Sequence, residues 1–469
     1  GLGDVYKRQG LPFIADYTCF PWRHGGLVRP ELRHLLPKEA FNGSDTKSGN
    51  HWVPYNIFHP EARKIYRRYW QDGVKFMKQN GADVFAYELF NEPSYNDPSP
   101  YNRTLFARFL KEKYNSPETM NRIWRTRYAS FEEAANVPEF IKTPGLAVDW
   151  GKFLEKGFTE LAKYGCKVIR EVDPDARMTF QTLGFSNYRS LPATNINIWE
   201  INRFMDVIST STVGGIYVES AFSEPPPVSV EAPSNPSSIG EGILERHFYR
   251  NCAAGKIIVN PEAYISRNPA VLRGKIWLDL LRGGSIDNFF TWQKRAWDYK
   301  FDGKRAWEIA EKFPYMLLIP QAVPTALLTE FLKAKQEIRE YGEFFIPKEL
   351  RPKAEIALLI SFPTERYGAA TGNTAKNEIL HYAAALEFAH YPADVLVEEQ
   401  LQNGVPEQYR AVIAVGVENT LPGTAAALEK FAKNGGLMIS ARRKMELDEY
   451  GNRVPNTLFS GLELQPLRQ

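Results

Sequence analysis

Residues Val84–Tyr95, VFAYELFNEPSY, constrain this chain more than any other stretch. An apolar run of strand length ends on Asn91-Glu92-Pro93. The run is too short for a helix and closes on a proline, so it reads as a buried parallel strand. Parallel α/β folds put their chemistry at the carboxyl ends of such strands. A single strand-end Glu before a Pro is also an ordinary solvated stop, so one such motif does not settle a function.

A second stretch has the same form. Lys256 to Val259 is an apolar strand, and Asn260-Pro261-Glu262 stands at its end. Further strands are expected at about 11–18, 178–183, 204–210 and 285–291. Helical patterns separate them. In Pro60–Gln79, Ile65, Tyr69, Val74 and Met77 recur at helical spacing, with Pro60 suited to the first turn and Gly81 to the end. Helical segments fill about 103–172, and others lie at 240–253 and near 270–282. Strand–helix alternation of this kind argues for parallel βα units.

The Asn-Glu strand end resembles the acid/base strand of clan A glycoside hydrolases, retaining enzymes on a (β/α)8 TIM barrel. In that clan the Glu ending strand 4 donates the proton, the Asn before it binds the sugar 2-hydroxyl, and the Glu ending strand 7 is the nucleophile. The resemblance implies that Glu92 is the acid/base, Glu262 the nucleophile and Asn91 a substrate ligand. Retaining chemistry needs two carboxyls ~5–5.5 Å apart. The expectation is that the pair stands on alternate strands at one rim. Glu88, four residues before Glu92, is expected to point the same way but deeper, as an interior residue. Asp206, near the start of its strand, reads as structural. Glu219 and Asp298 fall in loops.

The aromatic Trp292, after the last strand, matches the clan's usual sugar floor, where stacking orients a pyranose ring. Tyr264 and Tyr217 follow the strands at 256–259 and 204–210, and either would hold the nucleophile by its hydroxyl. Trp22 and Arg23, after the strand at 11–18, are candidates for the pocket wall. Each of these is equally an ordinary rim or loop residue.

Only six strands are read where a barrel needs eight. Glu92 ends the second and Glu262 the fifth, each two short of its place in the clan. The resemblance therefore implies a barrel lacking its first two strands, over residues 10–340. Residues 1–9 contain DVYKRQ, which reads as an adaptor-derived scar of a metagenomic fragment. They are set apart from the fold.

After a Pro- and Lys-rich linker a second α/β unit is expected over 353–469. Its strands lie at about 354–362, 393–398, 409–415 and 437–441, with helices at 375–389 and 421–433. A small doubly wound domain after a clan A barrel resembles the flavodoxin-like trimerisation domain of family 42 β-galactosidases. The resemblance implies a β-galactosidase-like enzyme and a homotrimer. The match is incomplete. The family follows its Asn-Glu with an aromatic and Gly rather than Pro93 and Ser94. It also carries a Gly-Ala-Glu after strand 8, where this chain has WQKRAWDYKFDG. Two readings stay open beside it: another clan A exo-glycosidase on plant or algal polysaccharide, and a non-catalytic carbohydrate binder.

Composition narrows the partners. Formal net charge is +3, too small to suggest nucleic acid. No apolar run approaches ~20 residues, so no membrane span is expected. A soluble bacterial protein is expected, its compartment left open. Three cysteines, Cys19, Cys166 and Cys252, are widely spaced, which fits neither a metal site nor a disulfide framework. Thr371-Gly372-Asn373-Thr374 matches a flavodoxin phosphate loop, but it lies too far past its strand, so no flavin and no other cofactor is expected. The second unit has no cysteine, which excludes a Cys-dependent glutamine amidotransferase.

Overall fold

The structure is a computed structural model. It describes residues 12–17, 53, 55–137, 141, 143–182, 194–210, 236–253, 255–264, 269–281, 283–284, 286–290, 318–319, 323–324, 326–344, 353–371, 378–441 and 445–454. The adaptor-like start lies outside them.

Six strands form one sheet: β1 (Phe13–Asp16), β2 (Val84–Asn91), β3 (Met178–Thr182), β4 (Val207–Thr210), β5 (Ile257–Tyr264) and β6 (Ile286–Phe290). They pair in sequence order, β1-β2-β3-β4-β5-β6. Every neighbouring pair is parallel. The six expected strands are thus present. Among the described residues β1 and β6 end the sheet and do not pair with each other. Phe204 closes a helix, Ile198–Phe204, rather than opening β4.

The Pro60–Gln79 helix has the expected bounds. His59 caps its start, accepting from the Glu61 amide, and Asn80 ends it. Its buried stripe is Ala62, Tyr66, Trp70 and Val74. That is one helical face at four-residue spacing. The expected Ile65, Tyr69 and Met77 flank it, only partly buried. The aromatic core behind β2 is built on Phe90. Its ring meets Trp70 edge-on at 6.0 Å and lies 5.1 Å from Phe158. Two more helices, Pro100–Tyr114 and Pro117–Trp124, open on Ser-Pro, with Ser99 and Ser116 accepting from the amides of Asn102 and Thr119. The long Pro144–Arg170 helix follows, its buried face against β2 and the Pro60–Gln79 helix.

Two short strands, β7 (Leu318–Ile319) and β8 (Val323–Pro324), pair antiparallel. The second parallel sheet contains β9 (Ile356–Ile360), β10 (Ala393–Val397), β11 (Ala411–Val415) and β13 (Leu437–Ala441). Its order is β10-β9-β11-β13, the start of a doubly wound pattern. A two-residue strand β12 (Asn419–Thr420) pairs with β14 (Leu447–Asp448) beside it. One helix, Phe362–Thr371, was not expected. Its Pro363 lies in the first helical turn, where proline costs no hydrogen bond. Thr371 ends that helix, its hydroxyl donating back to the Tyr367 carbonyl at 2.9 Å. Gly372, Asn373 and Thr374 lie outside the described residues.

The two sheets share one apolar cluster, which joins Phe90 and Phe158 to Ile360, Phe362, Leu380 and Val395. Cys166 and Cys252 are both buried and not disulfide-bonded. Among the described residues no helix is long and apolar enough to cross a membrane.

Glu398, just past β10, is fully buried. Its Oε2 accepts from the Leu421 amide and the Thr424 hydroxyl, both at 2.7 Å. Burial nevertheless pushes its carboxyl up to about 8. A raised carboxylate pKa means that the folded state holds the extra proton. Its stabilising contribution is complete below the unfolded value near 4.5 and is lost as pH rises to about 8. Glu398→Gln should therefore flatten that limb, and the variant should melt above the parent at pH 9. Parallel melting curves for the two proteins from pH 5 to 9 would refute the assignment.

Candidate active site

Strand β2 changes character at its carboxyl end. Tyr87 pairs with Met178 and Glu88 with Thr179, but the next pair is Asn91 with Gln181. Three residues of β2 therefore span two of β3, a one-residue bulge. Bulges bend a strand and re-aim its side chains. Before the bulge, Ala86 lies on the face that it shares with Val207 and Val259, and alternation puts Glu88 there too. The extra residue then brings Asn91 to that same face, in register beside Gln181. Across this bulge the four-residue spacing of Glu88 and Glu92 does not by itself put the two on one face. Glu88 is 2% exposed, in keeping with an interior residue.

Glu92 itself has φ +45°. A non-glycine residue in the left-handed region costs about 1–2 kcal/mol, and such strain collects at functional sites. The Glu92 amide still donates to the Gln181 carbonyl at 3.0 Å, so the strand is held up to the residue at which it turns. Two variants separate strain from chemistry. Glu92→Gly and Glu92→Ala both remove the carboxylate, but only glycine adopts this backbone freely. Glu92→Gly should be the more stable by about 1 kcal/mol in urea titrations. Equal stabilities would show that the backbone is not strained.

Behind Glu92 the loop is pinned by buried polar groups. The Tyr95 amide donates to the Thr194 carbonyl, and the Asn195 amide side chain to the Tyr95 carbonyl, both at 2.9 Å. Tyr95 Oη donates to Asp97 Oδ2 at 3.1 Å and accepts from Asn102 Nδ2 at 3.3 Å. Asn102 Nδ2 also donates to the Asp97 carbonyl at 2.9 Å. Burial holds the Tyr95 phenol well above its ordinary pKa, so it stays a neutral donor. Trp150, on the Pro144–Arg170 helix, donates from Nε1 to Asn96 Oδ1 at 2.9 Å. Sequence reasoning missed this support, because its partners are distant in the chain.

Strand β5 repeats the device. It runs on through Asn260-Pro261-Glu262 to Tyr264 instead of ending at Val259. Asn260 pairs with Asp287 and Ala263 with Phe289. Three residues again span two, and a bulge tolerates the proline. Glu262 is within this bulge. The parallel pairing puts the carboxyl ends of β2 and β5 at one rim of the sheet. The two are not alternate strands, since β3 and β4 lie between them. The side chains of Glu262 and Tyr264 lie outside the described residues, as do Trp292, Tyr217, Trp22, Arg23, Glu219 and Asp298. Asp206 is structural as expected. It accepts from the Met178 amide at 2.7 Å and from Arg170 at 2.5 Å. No cluster of three metal-ligating side chains exists among the described residues.

Residues 44–240 match the glycoside hydrolase family 42 profile, described as Beta-galactosidase. The match includes Asn91 and Glu92. A curated relative, the β-galactosidase BglY of Alicyclobacillus acidocaldarius, is 21% identical over 425 residues, which are 87% of this chain and 56% of the relative. The chain thus spans little more than half of that protein. Among solved structures, the β-galactosidase of Marinomonas ef1 matches with TM-score 0.71 at 16% identity, over 96% of this chain and 68% of that one. The exo-carrageenase of Bacteroides ovatus matches with TM-score 0.69 at 17% identity, over 96% and 64%. The exo-carrageenase is described as a family 42 enzyme, and both likenesses extend across the two sheets. Over residues 44–240 the chain is thus similar in sequence to family 42 of the glycoside hydrolases, and its fold is similar to that of these solved enzymes.

Proposed function

We propose that this chain belongs to a retaining β-glycosidase, β-galactosidase-like in its chemistry. The observation that supports this most is the repeated device toward one rim: Asn91-Glu92 at the end of β2 and Asn260-Pro261-Glu262 toward the end of β5, each at a one-residue bulge. Glu262 attacks the anomeric carbon and forms a covalent glycosyl-enzyme. Glu92 gives its proton to the departing glycosidic oxygen. It then takes a proton from the water that releases the sugar. Asn91 would hold the sugar 2-hydroxyl, with Trp292, Tyr264, Tyr217, Trp22 and Arg23 as candidate walls. The substrate is an oligo- or polysaccharide, and assembly as a trimer is the family's pattern. No cofactor enters this chemistry.

A second reading has its own support. WQKRAWDYKFDG lacks the glutamate by which the family binds galactose. That favours another exo-acting specificity, such as an algal polysaccharide, on the same two carboxylates. A panel of chromogenic β-glycosides, with algal oligosaccharides beside it, distinguishes the two readings by which sugar is released. Inversion at the anomeric centre, followed by NMR, would refute the retaining mechanism. Binding without any release would favour a carbohydrate-binding protein.

A further inference from the structure

The turn Glu449–Asn452, immediately after β14, reaches from the β12–β14 strand pair onto the Pro100–Tyr114, Pro117–Trp124 and Pro144–Arg170 helices. Tyr450 Oη donates to Asp149 Oδ1 at 2.8 Å. Lys113 Nζ donates to the same oxygen at 2.6 Å and also to Tyr450 Oη. Tyr114 Oη and Trp124 Nε1 donate to Asp149 Oδ2 at 2.5 and 3.1 Å. Asp149 is fully buried, so this carboxylate relies on its donors. Lys152 pairs with Glu449 one helical turn on. Arg125 donates to Asn452 Oδ1 at 2.9 Å and to the Gly451 carbonyl at 3.0 Å. Gly451 has φ +77°, and a Cβ there would come within 2.2 Å of Tyr367 Oη. The turn is therefore shaped to fit where it sits.

Asp149 is followed in the chain by Trp150, which donates to Asn96, four residues past Glu92. We propose that Tyr450 is a positioning residue for Glu92. The 449–452 turn latches the start of the Pro144–Arg170 helix, and Trp150 transmits that constraint to the loop behind the acid/base carboxyl. The inference rests on the role given to Glu92 above. It makes the second α/β unit part of the catalytic support rather than an appendage.

The test is Tyr450→Phe in the full chain. The ring keeps its place 5.2 Å from Lys113 Nζ and 5.9 Å from Lys152 Nζ, so only the hydroxyl is lost. Misplacing a catalytic group by ~1 Å costs up to about 100-fold. For glycosides with poor leaving groups kcat should fall about tenfold, with KM within about twofold. Activated aryl glycosides, which need no proton, should be nearly unaffected. A merely structural defect would slow both substrate types alike, and that result overturns the proposal. Trp150→Phe should show the same pattern, and the double variant should be no slower than either single one. Additive losses would break the link. Amide exchange over residues 93–99 provides a readout independent of activity. It should quicken in both variants but not in Arg250→Met, which cuts a 2.8 Å contact to Asp394 elsewhere on the second sheet. If the parent releases no sugar, the role of Glu92 fails, and the exchange data still judge the latch. Unchanged exchange in Tyr450→Phe overturns it.

Discussion

Glu262→Ala is expected to lower kcat at least about ten-thousand-fold, and azide is expected to restore turnover as an α-glycosyl azide. The nucleophile approaches the anomeric carbon from the face opposite the leaving group. Its removal leaves room on that face for a small anion, so the product anomer reports which carboxylate was lost. Glu92→Ala should differ in two ways. The glycosyl-enzyme still forms when the leaving group needs no proton, so activated substrates survive. Azide then enters from the other face and gives the β-azide. General-acid assistance is worth about 10²–10⁴-fold, which sets the expected gap between poor and activated leaving groups. Product NMR decides the matter. An α-azide from Glu92→Ala, with a β-azide from Glu262→Ala, would exchange the two roles. No rescue in either would remove both residues from the reaction.

How much of this site was legible beforehand depends on the range of the interactions that make it. Strand β2 could be read because its signal is local: a short apolar run, then a proline. Its bulge could not, because a bulge exists only relative to the register of β3. The same limit explains the end of β5. Pro261 reads as a stop on a single strand, and pairing with β6 is what carries the chain past it. For the same reason a period of two cannot be carried from Glu88 to Glu92 across an inserted residue. The cap and proline at Ser99-Pro100 were open to reading as a helix start, but the Trp150–Asn96 and Tyr450–Asp149 bonds join residues 54 and 301 positions apart.

The helix that the sequence concealed, Phe362–Thr371, carries the largest expected effect on stability. Arg366 pairs with Glu155 of the Pro144–Arg170 helix, with Nε 2.8 Å from Oε1 and a second nitrogen on Oε2. The two side chains are 7% and 6% exposed. Burying both charges is expensive, and their bidentate geometry offsets that cost only while both are present. Glu399 lies close by, its carboxyl raised by burial, so a second unpaired acid cannot be absorbed cheaply. Arg366→Met should leave Glu155 buried without its cation and destabilise the fold by about 3–5 kcal/mol. Arg366→Met/Glu155→Met should recover most of that, because a well-packed apolar pair pays no desolvation penalty. Urea titrations of the two single variants and the double variant give the coupling directly. A double variant as unstable as Arg366→Met alone would show that lost packing, and not the orphaned charge, dominates at this contact between the two sheets.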